Sequence, residues 1–345
     1  MKRQFISFVK QVASPLLEAT GLLDRQISAL VDQPGRLLVV MYHRVIADPA
    51  LDPFALGMCV RQEHFDEQID YLQARFNVLP LSEAVRRSMA GETLPPASVA
   101  ITFDDGYLDN LEVAAPMLLQ RGLPATFFVA TGGLSDGRAL WWDRAIAALA
   151  DSRADEVALP MLGFEAPLSL QAGQKSYTVA AVLNALWAVP PAELDAIVDA
   201  VVEALTPGET YRCASTARAP RMTTRQVARL RQMGFEIGAH TERHVDMRHL
   251  NPAERRPELI LPREQLETIV NAPVNGFAYP SGFHDENLQA LVEQAGFDYA
   301  VSTDRGLNSG QLRRFALYRV GMPDTPLADF KRALCSVPLV EAGAV

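Results

Sequence analysis

Asp104 and Asp105 stand side by side in Ile101-Thr-Phe-Asp-Asp-Gly106, and two histidines stand four residues apart in His240-Thr-Glu-Arg-His244. One of the aspartates with both histidines would make a three-ligand site for a divalent cation. Three protein ligands leave a coordination position open for water or substrate. The second aspartate would then stand beside the cation, free to act as a base. Two adjacent buried carboxylates without a cation would be costly. The competing reading is a solvated turn at a strand end. For the histidines, a spacing of four puts both side chains on one face only if the segment turns helically. The competing reading there is a hydrogen-bonded His240 at a strand end, with His244 exposed on a loop. Thr241 and Asp246 are short polar residues able to bond nearby amides and shape this loop. His249, just before Leu250 and Asn251-Pro252, is expected to face solvent or pack locally.

These residues need elements to position them. Val99–Phe103 is short, apolar and β-prone, and reads as a buried strand. Successive strand residues point to opposite faces. For both carboxylates to face one site, the chain must leave the strand at the aspartates, and Gly106 permits that. Phe235–Ala239 reads as a second such strand and delivers His240. Leu37–Met41 reads as a third, followed at once by Tyr42-His43-Arg44.

Further strands are expected at 75–79, 125–130, 276–279 and 299–302. Helices are expected at 62–75, 82–90, 109–121, 223–233 and 285–295. Helices alternating with short apolar strands predict an α/β fold with a largely parallel sheet. The alternation breaks after Thr131-Gly-Gly133. Residues 138–222 read as a mostly helical insertion, with helices over Trp141–Ala150, Ser176–Leu186 and Ala192–Leu205. Residues 1–36 read as a helical lead-in and 37–345 as the main domain.

Composition excludes several roles. The net charge of −9 argues against nonspecific nucleic-acid binding. Apolar residues make up 49% of the chain, enough for a large core. Cys59, Cys213 and Cys335 are far apart and odd in number, so a disulfide framework is not expected and a reducing, cytoplasmic setting is. No signal-peptide core stands at the start, and no apolar run is long enough to span a bilayer. Phe5, Phe8, Val9, Val12 and Leu16 recur at helical spacing near Lys2, Arg3 and Lys10. This stripe reads first as packing on its own domain, with peripheral membrane contact as the alternative.

Thr102-Phe-Asp-Asp-Gly106 resembles the first motif of the polysaccharide deacetylase family, the NodB-homology or carbohydrate esterase family 4 group. His240–His244 resembles the second, and Phe277-Ala-Tyr-Pro-Ser-Gly282 the third. The resemblance covers roughly 37–133 and 223–322. It implies a distorted (β/α) barrel with the site at the carboxyl ends of the strands. It implies removal of N- or O-acetyl groups from a glycan or lipid-linked saccharide. Residue by residue it implies Asp104 as general base, Asp105, His240 and His244 as metal ligands, and the Ser281 N–H as oxyanion donor. Two histidines and a carboxylate suit zinc, and also cobalt, nickel or manganese. Met41-Tyr-His-Arg-Val45 resembles the branch containing the biofilm poly-N-acetylglucosamine deacetylases. Ser302–Asn308, followed by Leu317-Tyr-Arg-Val320, is similar to the exopolysaccharide-biosynthesis members of that branch.

The sequence also departs from the family. Many members carry an arginine, paired with the base, where Ala278 stands. Many carry a late Leu-x-His whose histidine is the general acid, and here Leu317-Tyr-Arg-Val-Gly321 offers Arg319 instead. Arginine cannot donate a proton near neutral pH. His43, at the end of a buried strand, is the expected replacement acid, and His284, on a loop past Gly282, is the alternative. A structural His43 bonded to backbone is the competing reading. Arg319 is expected to supply the missing cation beside Asp104 and hold its pKa down. Asp304 and Arg305 read either as sugar-binding or as turn-capping, and Trp141-Trp142 either as a sugar platform or as core. Two other functions fit the same residues, an inactive carbohydrate-binding protein on this scaffold and an O-acetyl esterase.

Overall fold

The computed structural model describes residues 20–208 and 218–341. The Phe5–Leu16 stripe and Cys213 lie outside them. Seven strands form a closed barrel: β1 (Arg36–Tyr42), β2 (Ser98–Phe103), β3 (Thr126–Val129), β4 (Glu236–Ala239), β5 (Gly276–Ala278), β6 (Tyr299–Arg305) and β7 (Leu317–Gly321). Each strand pairs in parallel with the next, and β7 pairs back to β1 through Val40↔Val320. The barrel is the expected (β/α) type.

The strands read as continuous apolar runs because both of their faces are buried. Leu37 and Val39 of β1 point inward, with Ala100, Phe128, Ala278, Tyr299, Val301 and Leu317 from the other strands. Leu38, Val40 and Tyr42 point outward, into the larger core beneath the helices. Gly238 of β4 makes room inside, since a Cβ there would fall 2.3 Å from the Phe128 ring.

Helices surround the barrel: α1 (Leu22–Val31), α2 (Gln62–Arg75), α3 (Leu81–Met89) and α4 (Ala115–Gln120) come before the insertion. Leu81, Ala84 and Val85 of α3, with Leu94, join the inner cluster. The Ser82 amide also meets the Glu236 carboxylate at the start of β4, 3.3 Å away. So α3 plugs the end where the strands begin, and chemistry is left to the opposite end.

Between β3 and β4 lie α5 (Trp141–Asp151), α6 (Lys175–Trp187) and α7 (Leu194–Leu205), with a small antiparallel ribbon joining Glu156–Val157 to Leu168–Ser169. After them come α8 (Thr224–Gln232), α9 (Pro252–Val270), α10 (Glu286–Gln294) and α11 (Leu327–Cys335). The strand expected over 75–79 is only Asn77–Val78, and the helix expected over 109–121 opens as a π-turn at Asn110–Ala114. No helix of the described residues is long and apolar enough to cross a membrane.

Candidate active site at the carboxyl end of the barrel

The inward alternation of the strands, continued past the apolar floor, builds the site. On β1 it runs from Leu37 and Val39 to Met41 and then His43. On β2 it runs from Ala100 to Thr102 and Asp104, on β4 from Gly238 to His240, and on β7 from Leu317 to Arg319. One register therefore places an acid, an imidazole, a guanidinium and His43 in a layer above the core.

The adjacent aspartates are treated in opposite ways. Asp104 continues the strand, its amide bonded to the Tyr42 carbonyl at 3.0 Å. Arg319, fully buried, donates to both of its oxygens, at 2.7 and 2.6 Å. Arg319 itself is fixed by the Ser302 carbonyl (2.7 Å) and Thr102 Oγ1 (3.3 Å), with its guanidinium 5.8 Å from the Phe128 ring centre. Burial pushes the Asp104 carboxyl up, but Arg319, helped by the nearby His240, holds it below the ordinary carboxylate range. A cation is thus set beside Asp104 from β7.

Asp105 instead leaves the strand with φ +74°, and Gly106 follows at +83°. A Cβ at Gly106 would meet Val129 Cγ1 at 2.9 Å, so glycine is required there for space as well as for angle. This double turn swings the second carboxylate toward the histidines. Asp105 is 1% exposed, and neither of its oxygens has a hydrogen-bond partner. The Nε2 atoms of His240 and His244 each stand 3.4 Å from its Oδ1.

The ligand atoms of Asp105, His240 and His244 all lie within 4.8 Å of one another, and all three residues are buried. A buried carboxylate with both oxygens orphaned, facing two imidazole nitrogens, fits a divalent cation of the kind the donor set suits. The His240 Nδ1 lies 2.7 Å from the Ala278 carbonyl, which makes Nδ1 the donor and leaves Nε2 free. Burial, reinforced by His240, pushes the His244 pKa down to about 3, so that ring is neutral, as a metal ligand must be.

The segment 240–244 does not turn helically, so helical spacing is not what brings the two rings together. Thr241 (φ +60°) and His244 (φ +53°) are left-handed, and His244 is brought back beside His240 by that route. Several bonds compensate for the strain. Thr241 and Glu242 give their carbonyls to the amides of Thr131 and Gly132. The Thr241 hydroxyl accepts the His244 amide at 2.9 Å. Glu258 of α9, only 2% exposed, accepts the amides of Glu242 and Arg243 at 2.9 and 3.1 Å. Nothing in the sequence pointed to Glu258, because its helix was itself not expected.

His43 lies close enough to act electrostatically on both Asp104 and Asp105. Its carbonyl accepts from Asn110 Nδ2 at 2.7 Å. His284 is engaged elsewhere, 3.0 Å from Asp304 and 3.1 Å from Gln289, with its ring over Tyr279. Asp304 is therefore the partner of His284, and Arg305 donates to the Ala333 carbonyl and the Ser336 hydroxyl. Ser281 takes φ +51° in the turn after β5, whose own bonds run from Gly282 to Tyr279 and from Phe283 to Pro280. Neither bond uses the Ser281 N–H. His249 is largely exposed, as expected.

Trp141 and Trp142 are core, 4% and 5% exposed. They nonetheless belong to the site. Trp141 Nε1 donates to the His244 carbonyl at 3.3 Å, and the Trp142 ring lies 4.2 Å from the His244 ring. Trp142 Nε1 donates to the Tyr107 hydroxyl, which reaches Asp143 at 3.0 Å. Tyr107, Asp143 and Trp187 are site neighbours that the sequence reading did not single out.

Comparison with known proteins agrees with this architecture. The sequence profile of the family described as polysaccharide deacetylase matches residues 91–153 and 195–300. That span includes the aspartate pair, the histidine motif and Ser281, and leaves out His43 and Arg319. Streptococcus pyogenes deacetylase PplD, solved with acetate, superposes with a TM-score of 0.58 at 18% identity, over 88% of this chain and 100% of that one. IcaB from Ammonifex degensii gives 0.56 at 18% identity, over 88% and 97%. YxkH of Bacillus subtilis (strain 168), itself assigned only provisionally as a polysaccharide deacetylase, is 20% identical over 290 residues, 84% of this chain and 72% of its own length.

Proposed function

We propose, from the premise that this chain belongs to the polysaccharide deacetylase family, that it is a metal-dependent hydrolase releasing acetate from the N-acetyl groups of an amino-sugar glycan, in the making of an exopolysaccharide. The observation that carries the reading is the contrast between the aspartates. One is locked and kept ionised by Arg319, while the other presents two unpartnered oxygens to two histidines.

A divalent cation, zinc or another that two histidines and a carboxylate suit, held by Asp105, His240 and His244 would polarise the acetyl carbonyl and acidify a neighbouring water. The chain's own residues do the rest. Asp104 takes the proton from the attacking water, and Arg319 keeps that carboxylate charged and aimed. The backbone N–H of Ser281 donates to the carbonyl oxygen as it gains negative charge. The departing sugar nitrogen needs a proton, and His43 gives it.

The test is acetate release from an N-acetylglucosamine oligomer by metal-loaded protein, wild type against Asp104→Asn and His43→Ala. Both variants should keep the metal, and each should lose about 10²–10⁴-fold in turnover. Near-normal turnover in folded Asp104→Asn would remove Asp104 from the role of base. If wild-type protein is active only on O-acetylated sugars, the reaction is an esterase reaction. If it binds glycan and releases no acetate, the chain is a binding protein.

A further inference from the structure

The insertion's three tryptophans are placed differently. Trp141 and Trp142 are buried, and each indole N–H has a partner. Trp187, the last residue of α6, is only half-buried, and its indole N–H has no partner among the described residues. Its ring stands edge-on to Trp141 (4.9 Å), 5.8 Å from the ring of His244 and 5.9 Å from that of Phe283. Phe283 directly follows the Ser281-Gly282 turn, and the guanidinium of Arg248 braces it from 4.1 Å. The Trp187 ring therefore bridges the distance from a metal-ligating imidazole to the turn carrying the oxyanion donor.

A tryptophan bound for the core is buried with its N–H satisfied, as its two neighbours are. Trp187 packs against the core yet keeps part of its surface open and its donor without a partner among the described residues, beside the reacting groups. A pyranose ring presents an apolar C–H face flanked by hydroxyls, which is the chemistry that such an indole meets. The family profile matches on either side of residues 154–194 and passes over them, so Trp187 lies outside what the profile describes.

We infer that Trp187 is a specificity-determining platform on which a pyranose ring of the glycan stacks, next to the sugar whose acetamido group is hydrolysed. The inference rests on the deacetylase reading for its substrate class and adds the residue that selects a polymer over a small acetyl compound. Phe283 and Arg248 hold the platform upright, and the free indole N–H donates to a sugar hydroxyl.

Full-length, metal-loaded protein decides it, as wild type, Trp187→Phe and Trp187→Ala. Two substrates are compared, an N-acetylglucosamine pentamer and p-nitrophenyl acetate, which has no sugar to stack. Trp187→Ala should raise KM for the pentamer roughly tenfold, in line with the energy of a lost aromatic contact. Its kcat, its hydrolysis of the aryl ester and its metal content should stay within about twofold of wild type. Trp187→Phe should recover part of the loss. An equal fall on both substrates would show that the ring only supports His244, and an unchanged pentamer KM would show that it touches no sugar. Either result overturns the inference. Binding is read separately by titrating the pentamer into Asp104→Asn protein with and without Trp187→Ala. A platform lowers affinity in the double variant even if no acetate is ever released, which separates failure of the platform from failure of the deacetylase reading. Equal affinities, or no binding in either protein, would overturn it.

Discussion

The two imidazoles of the triad are held by different parts of the molecule and by different forces. His240 belongs to the barrel. It directly follows β4, its amide bonds the Val129 carbonyl, and its ring is aimed by a 2.7 Å bond to the Ala278 carbonyl. His244 belongs as much to the insertion. Its Nδ1 is buried without a partner, and its ring packs against the indole of Trp142, 4.2 Å away. Direction on the barrel side comes from hydrogen bonds, whose geometry is steep. On the insertion side it comes from packing, which confines a ring without choosing its tautomer. The fold thus sets one imidazole with the strands that define it, and leaves the other to a segment that the family profile only partly matches.

The largest effect should come from removing either ring. His240→Ala and His244→Ala each leave two ligands, and both should lose bound metal and acetate release together, read by metal content after dialysis. The comparison is sharpened by Trp142→Leu, which removes ring support from His244 and leaves the His240 bond to Ala278 in place. Its metal affinity should fall about 10- to 100-fold, the usual cost of losing an outer partner of a ligand. If Trp142→Leu binds metal as tightly as wild type, packing does not position His244.

An intermediate effect belongs to the barrel side. Arg319→Lys keeps the charge but cannot grip both oxygens of Asp104. Arg319 lowers the pKa of Asp104, so a weaker partner lets that pKa rise. Asp104 must be ionised to act as base. The acid limb of kcat/KM should therefore move to higher pH, with a loss of about tenfold or more in the plateau. An acid limb that stays in place while the plateau falls would assign Arg319 to folding alone.

Strand positions and the aspartate and histidine motifs were legible because barrel strands are apolar on both faces and chemistry follows them directly. Arg319 was reached through the resemblance, as the residue offered in place of the late histidine, and the structure sets it against Asp104. What was not legible has physical causes. Helix α9 escaped because Pro257 and Pro262 sit inside it, and interior proline normally argues against helix. With it went Glu258, which ties the histidine loop. The geometry of that loop stayed open because left-handed Thr241 and His244 carry no signature in residue type. Of the seven non-glycine residues with positive φ among the described residues, Asp105, Thr241, His244 and Ser281 all lie in the site. Such strain is sustained by the surroundings, which a local reading does not contain. Full burial of Trp141 and Trp142, and half-burial of Trp187, likewise depend on how the insertion docks.

The smallest effect tests how the insertion treats charge. On the barrel side the buried acid Asp104 is paired with a cation. On the insertion side Asp143 of α5 is buried against the Tyr107 hydroxyl. Burial, with the nearby charge of Asp105 adding to it and Arg44 opposing, raises the Asp143 pKa from 3.8 to about 7. Between those values the folded protein keeps a proton that the unfolded chain gives up. The stabilisation from this group is complete below about pH 4 and is lost as pH rises toward 7. The amide introduced by Asp143→Asn would keep an acceptor for Tyr107 and titrate nowhere. Melting temperatures of metal-free wild type and Asp143→Asn, measured from pH 5 to 7.5, should therefore diverge in favour of the variant as pH rises. A gap that is flat, or that closes with rising pH, would mean that Asp143 is ionised in the fold and that a cation, Arg44 before Arg221, compensates it as fully as Arg319 compensates Asp104.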